Sequence, residues 1–148
     1  MVHHNEVPRA ISHCKGILKD KIYELWNGRW TREKTCRQTR IFYPQPDPNH
    51  SKILLKFARS QLSTYIKVVT GHNNLAYNAS KIDPTIDPVC SLCEEADQTF
   101  QHFVTECPRL RQTRQDIGIR EEDRDSWTPE HLLELARVPA VEVLFNRV

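Results

Sequence analysis

The chain has 148 residues, a formal net charge of +2, 39% hydrophobic residues and 27% charged residues. This suits one ordinary domain, or two small ones, with a modest core and a charged surface. Only four glycines argue against glycine-rich phosphate loops and a turn-rich all-β fold. No apolar run is long enough to span a membrane, and no charged-then-apolar leader ending in small residues argues for secretion. An intracellular protein is therefore expected, in the nucleus, the cytoplasm or both. Five cysteines in that setting favour metal ligands or free thiols over disulfides.

In chain order, the first segment reads as a helix. Asn5 is the candidate cap and Pro8 suits the first turn. Ile11, Cys14, Leu18, Ile22, Leu25 and Trp26 recur at steps of three and four, as an apolar stripe does. Cys14 on that stripe reads as a small core residue. Gly28 is expected to weaken the helix end. Three prolines at alternate positions in Tyr43-Pro44-Gln45-Pro46-Asp47-Pro48 exclude helix and predict a stiff connector.

A second helix is expected from about Lys52 to Val69. Its stripe would be Leu54, Ala58, Leu62, Tyr65, Ile66 and Val69, and Gly71 would stand at its C-cap. A short helix from Asn73 to Lys81 and turns at Asp83-Pro84 and Asp87-Pro88 lead into the cysteine segment. Short helices are expected over Thr99–Glu106, stopped by Pro108, and over Leu110–Ile117. Glu121, Glu122, Asp123 and Asp125 read as a solvated link. Thr128-Pro129-Glu130 then starts a terminal helix with a cap, a proline and an acid in its first turn. The fold class expected is mainly α: a small helical domain with a CCHC zinc-knuckle-like element and at most one or two short strands. Its expected parts are a basic helix and proline-rich connector (1–48), a helical body with the zinc site (49–118), and a polar link with the C-terminal helix (119–148).

Cys90, Cys93, His102 and Cys107 carry the strongest chemical signal, with spacing C-x2-C-x8-H-x4-C. A Cys-x2-Cys turn can aim two sulfurs at one point, and a His and a third Cys complete a tetrahedron around Zn2+. Three thiolates and an imidazole leave no position for a reacting water, so the composition is that of a structural site. The gap of eight is longer than the four of the retroviral zinc knuckle. Phe100 and Phe103 flank His102 and are candidates to pack the site onto the body. His3, His4, His13, His50, His72 and His131 lack a second ligand at sensible spacing and read as surface or core histidines.

Charge is segregated. Between Arg9 and Arg40 nine cations face three acids, whereas Asp83 to Cys107 holds no Lys or Arg. An acidic thiolate site is poorly suited to touching phosphates, so nucleic-acid contact is expected on the basic half. Its candidates are Arg29, Trp30, Arg32, Lys34, Arg37 and Arg40. Trp30, Phe42 and Tyr43 are candidates to stack on unpaired bases of RNA or single-stranded DNA. No nucleophile elbow, Walker-type loop or converging acid cluster points to catalysis.

Several stretches resemble the region after the ribonuclease H domain in polyproteins of insect non-LTR retrotransposons of the jockey-like and related groups. They are Ile11-Ser12-His13, Leu25-Trp26, Thr35-Cys36-Arg37-Gln38-Thr39, Ser60 to Leu62, and Val69-Thr70-Gly71-His72 with Leu75. The last runs from Asp87-Pro88-Val89-Cys90 through Cys93 and His102 to Cys107-Pro108. Their order and spacing match over about residues 10–118, and the Trp127–Phe145 tail is similar to the closing helix of such proteins. The resemblance implies a non-catalytic accessory region of a reverse transcriptase polyprotein. It supports the same four metal ligands and implies contact with element RNA or target DNA, and with the rest of the polyprotein. A second reading is a protein-interaction module. Its acidic zinc segment and tail residues Leu132, Leu133, Leu135, Val141, Val143, Leu144 and Phe145 would dock on the polymerase or on another copy.

Overall fold

A computed structural model describes residues 6–146; Asn5, His3 and His4 lie outside them. The fold is mainly helical. Helix α1 (Glu6–Arg32) is followed by α2 (Arg37–Phe42), α3 (His50–Leu54), α4 (Arg59–Thr70) and α5 (Ala76–Ser80). Then come α6 (Phe100–Thr105), α7 (Arg111–Ile117), α8 (Pro129–Arg137) and α9 (Pro139–Phe145), with 3-10 turns at Pro108–Leu110 and Arg124–Ser126. Among the described residues the extended pairing is confined to two isolated bridges, Val89 with Asp97 and Arg120 with Asp123. None of these helices is long and apolar enough to cross a membrane.

Helix α1 continues through Gly28 to Arg32, one turn further on. Side chains on both sides of the glycine hold it: the Tyr23 hydroxyl donates to the Pro46 carbonyl and the Trp30 indole N–H to the Tyr43 carbonyl, both at 3.0 Å. These contacts offset the 0.5–1 kcal/mol or so that a mid-helix glycine costs. The stiff connector is thus the strut against which α1 docks. The expected apolar stripe is not the docking face. Ile11, Leu18, Ile22, Leu25 and Trp26 are 48–64% exposed, and Cys14 is exposed rather than a core residue.

The helix expected from Lys52 to Val69 is two helices. Ala58 is extended (φ −62°, ψ 154°), and its N–H is taken by Gln61 Oε1 at 2.8 Å, which starts a new helix there. The kink turns Phe57 back onto Tyr65, with ring centroids 5.9 Å apart. Tyr65, Val68 and Val69 are buried, whereas Ala58 and Ile66 of the expected stripe are exposed. Gly71 caps α4 at φ +76°, and a Cβ there would stand 3.1 Å from Gln38 Cγ of α2. Both demands select glycine.

One hydrophobic core runs from Phe42 to Phe145. Phe42 joins Trp127 and Phe100 at centroid distances of 6.0 and 6.2 Å, and Phe100 continues to Phe103 and Phe145. Helix α8 packs on α4, and Ile119 and Trp127 belong to the same core. The acids Glu121, Glu122 and Asp125 of this stretch are exposed, as expected of a solvated run, while Ile119, Ser126 and Trp127 between and beside them are buried. Glu121 pairs with Arg114. The buried Ser126 hydroxyl accepts from the Arg120 N–H at 2.8 Å, and the Trp127 indole donates to the Arg120 carbonyl at 3.0 Å. The tail is two helices, because Val138 before Pro139 is extended (ψ 132°), as a residue preceding proline tends to be. Leu132, Leu133, Leu135, Val141, Leu144 and Phe145 are buried within this chain, leaving Val143 exposed at 57%. Most of that tail surface is taken up by the chain's own core.

Candidate metal centre

The first two sulfurs come from a tight hairpin. Cys90 N–H donates to the Ala96 carbonyl at 2.7 Å, Glu94 N–H to the Cys90 carbonyl at 2.8 Å, and Gln98 N–H to the Pro88 carbonyl at 2.7 Å. Glu94 turns the corner in the left-handed region at φ 62°. Gln98, 2% exposed, ties the hairpin to the body. Its Oε1 accepts from the Ala76 N–H at 2.9 Å and its amide donates to Ser91 Oγ at 2.9 Å.

The other two donors come from α6 and its end. Thr99 caps the helix by accepting from the N–H of His102 itself, at 3.0 Å, which sets the phase of that side chain. The His102 carbonyl in turn accepts from the N–H groups of Glu106 and Cys107, so the helix closes with the last sulfur turned back over it. Phe103 and Val104, on the next positions, are buried and press the helix into the core.

The result is convergence. One donor atom from each of Cys90, Cys93, His102 and Cys107 lies within 4.8 Å of every other, and Cys93 Sγ is 3.2 Å from His102 Nε2. Tetrahedral sites with metal–sulfur distances near 2.3 Å and metal–nitrogen near 2.0 Å need about this spread. Cys90, His102 and Cys107 are buried. Among known proteins, no family model, curated protein or solved structure matches the chain.

The donor chemistry fits a cation. Burial pushes the Cys107 thiol up to about 12, reinforced by the neighbouring sulfurs of Cys90 and Cys93, and burial also raises Cys90. Three crowded thiolates are thus unstable alone, and a divalent cation would displace their protons. Burial lowers His102, against the nearby Glu106 carboxylate that raises it, which favours the neutral imidazole a metal requires. Its Nδ1 is buried without a hydrogen-bond partner, 3.9 Å from Glu106 Oε2. A ligating Nε2 leaves Nδ1–H to point at that carboxylate, the usual outer partner of a metal-bound histidine.

Sequence reasoning missed Arg114. It is 1% exposed and donates from Nη1 to the carbonyls of Phe103 (3.0 Å) and Cys107 (2.8 Å), while Nη2 pairs with Glu121. The guanidinium closes off the end of α6 and holds Cys107 in place. It also sets positive charge beside a site that three thiolates and a divalent cation would leave negative. An arginine on a polar helix reads as a surface residue, so only the fold reveals it.

The basic half is less uniform than its composition. Arg29, Arg32, Lys34 and Arg37 are exposed. Arg40 is half-buried and donates to the Thr35 carbonyl, and Trp30 is held by Tyr43. Phe42 is 7% exposed in the core and is not available to stack on bases. Tyr43 packs on His50 at 4.3 Å between centroids.

Proposed function

We propose that the chain is a non-catalytic accessory module folded around one zinc ion, which holds RNA or single-stranded DNA through the exposed cations Arg29, Arg32, Lys34 and Arg37. The observation that carries this reading is the closed Cys3His group sunk into the core. Soft thiolates with one imidazole in tetrahedral array suit Zn2+ better than oxygen-seeking cations. With all four positions taken by protein, the ion makes structure rather than activating water. Cys90, Cys93, His102 and Cys107 would hold it, and Arg114 and Glu106 would steady its ligands.

The nucleic-acid side follows from segregation. Arg29, Arg32 and Lys34 lie on the end of α1 and the turn after it, away in sequence from the acidic hairpin, and Arg37, the first residue of α2, borders a groove that Asp97 and Glu106 of the metal segment also line. Such a part fits the post-ribonuclease H region of the retrotransposon polyproteins that the sequence resembles, acting during reverse transcription at the insertion site. Fluorescence anisotropy on zinc-loaded protein across a salt series tests it. Each phosphate contact on a single strand contributes a log–log slope of roughly −0.7. Arg32→Ala with Arg37→Ala should flatten the slope by about twice that. Absence of binding to RNA and single-stranded DNA at low salt would overturn the nucleic-acid assignment, and one bound zinc per chain by elemental analysis separates that failure from failure of the metal site.

A further inference from the structure

Helix α1 has two faces with different fates. Tyr23, Asn27 and Trp30 are half-buried and lean on the connector through Tyr23 and Trp30. At 3.6 residues per turn, Ile11, Cys14, Leu18, Ile22 and Leu25 fall on roughly the opposite side. Ile11, Leu18, Ile22 and Leu25 are 51–64% exposed, and Cys14 is exposed too. Apolar residues on one stripe of a helix call for a partner surface, and among the described residues none covers this stripe. A helical stretch without tertiary packing is marginal in water, so a partner on this stripe would also hold α1 together.

The pattern itself names the occupant. The steps along the stripe are three, four, four and three, so it reads the same from either end with Leu18 at its centre. We infer that α1 pairs with α1 of a second copy, antiparallel, about a two-fold axis at Leu18. Ile11 then meets the other copy's Leu25, Cys14 meets Ile22, and Leu18 meets Leu18. A two-fold interface is built from one patch used twice, and a palindromic stripe satisfies that without adjustment. Charge decides the direction. The same side of the helix continues as Arg29 and Arg32, so parallel pairing would stack arginine on arginine and align the two helix dipoles. Antiparallel pairing avoids both and keeps the two bodies at opposite ends.

The area is adequate for a reversible dimer. At about 100 Å² for each of the five stripe residues and for Trp26 beside them, the two copies bury about 1,200 Å² in all, the lower end of the range for specific interfaces. Micromolar association is the scale expected. Lys15 and Lys19 of the two copies approach one another on one flank, so added salt should strengthen pairing by screening them. That is the opposite of its effect on phosphate binding. The inference does not depend on the function proposed above.

Sedimentation equilibrium of the full zinc-loaded chain, from about 1 to about 200 µM, tests it. A monomer–dimer equilibrium is expected, weakened at least about tenfold by Leu18→Glu and unchanged by Arg37→Ala. Circular dichroism of Leu18→Glu should match the wild-type body, because Leu18 is 60% exposed and lies outside the hydrophobic core. For direction, Leu18→Cys in a Cys14→Ser, Cys36→Ser background should form a covalent dimer on mild oxidation, and Leu25→Cys in the same background should not. A monomer throughout, or a dimer indifferent to Leu18→Glu, would overturn the pairing. Equal cross-linking at positions 18 and 25 would overturn its antiparallel sense.

Discussion

Replacing Cys107 with Ser removes the sulfur that closes the site at the end of α6. Two losses follow from the structure. The first is metal affinity. Outer partners of a ligand are worth 10–100-fold in affinity, so loss of a ligand itself should reach about 1,000-fold. Through mass action that lowers the stabilisation by bound zinc by about 4 kcal/mol. The second is the hydroxyl. Cys107 is fully buried, and an unpaired polar group there costs about 1–3 kcal/mol. Together they approach the whole stability of a typical domain, 5–15 kcal/mol. At 2–4 °C per kcal/mol for a chain of this size, the thermal midpoint should drop by roughly 10–25 °C. Because Phe100, Phe103 and Leu132 share one core with Cys90 and Cys107, the loss should spread beyond the metal segment to the terminal helices, with α1 affected least. The assay is thermal unfolding followed by far-UV circular dichroism, with and without a strong chelator. Cys14→Ser and Cys36→Ser serve as controls, both sites being exposed. If chelator leaves the wild-type midpoint in place and Cys107→Ser melts with it, zinc does not hold this fold and the reasoning fails.

Other outcomes follow from the same geometry. Arg114→Ala should lower stability by about 2–4 kcal/mol, as charged hydrogen bonds and packing are both lost. A denaturant midpoint unchanged from wild type would show that the guanidinium does not secure the end of α6. The pH response should differ on the two sides. Burial lowers His50 and His102 below the usual histidine value, so both add stability above about pH 6.5 that is lost as pH falls through their folded values. Zinc release into a chromogenic chelator should accelerate over that same fall. In chelated protein the raised thiols act in the other direction. Cys107, at about 12, and Cys90 hold protons that the unfolded chain gives up near 9, so stability should decline as pH rises from about 9 towards 12. Zinc-loaded protein, its thiols already deprotonated, should lose less over that interval. Equal alkaline sensitivity of the two forms would argue against thiolate ligation.

How far the sequence was legible depends on whether the deciding interaction is local. Ligand spacing, the short helix over Thr99–Glu106 with its stop at Pro108, and the Thr128-Pro129 start are read over a few residues, and each element appears where those signals set it. The α3–α4 break was invisible because neither Gly nor Pro marks it; Ala58 is turned out by Gln61 and by the packing of Phe57. For α1, periodicity correctly reported an apolar face but could not say what covers it, and the face that docks carries Tyr23, Asn27 and Trp30, which read as polar or mixed. Arg114 and the acids near it looked like solvent-facing charge. Their role depends on carbonyls at the end of a helix that only the closed fold brings within reach.

The shared core bears on how this protein can be cut. A short zinc finger is a portable cassette that folds wherever it is grafted. Here Trp127 and Leu132 lie in the same core as Cys107, and Arg114, which secures that cysteine, is itself tied to Glu121. A fragment ending at residue 118 would keep all four Cys and His donors yet strip away part of the wall they sit in. The metal segment is better regarded as a keystone than as a cassette, and expression boundaries belong beyond Phe145.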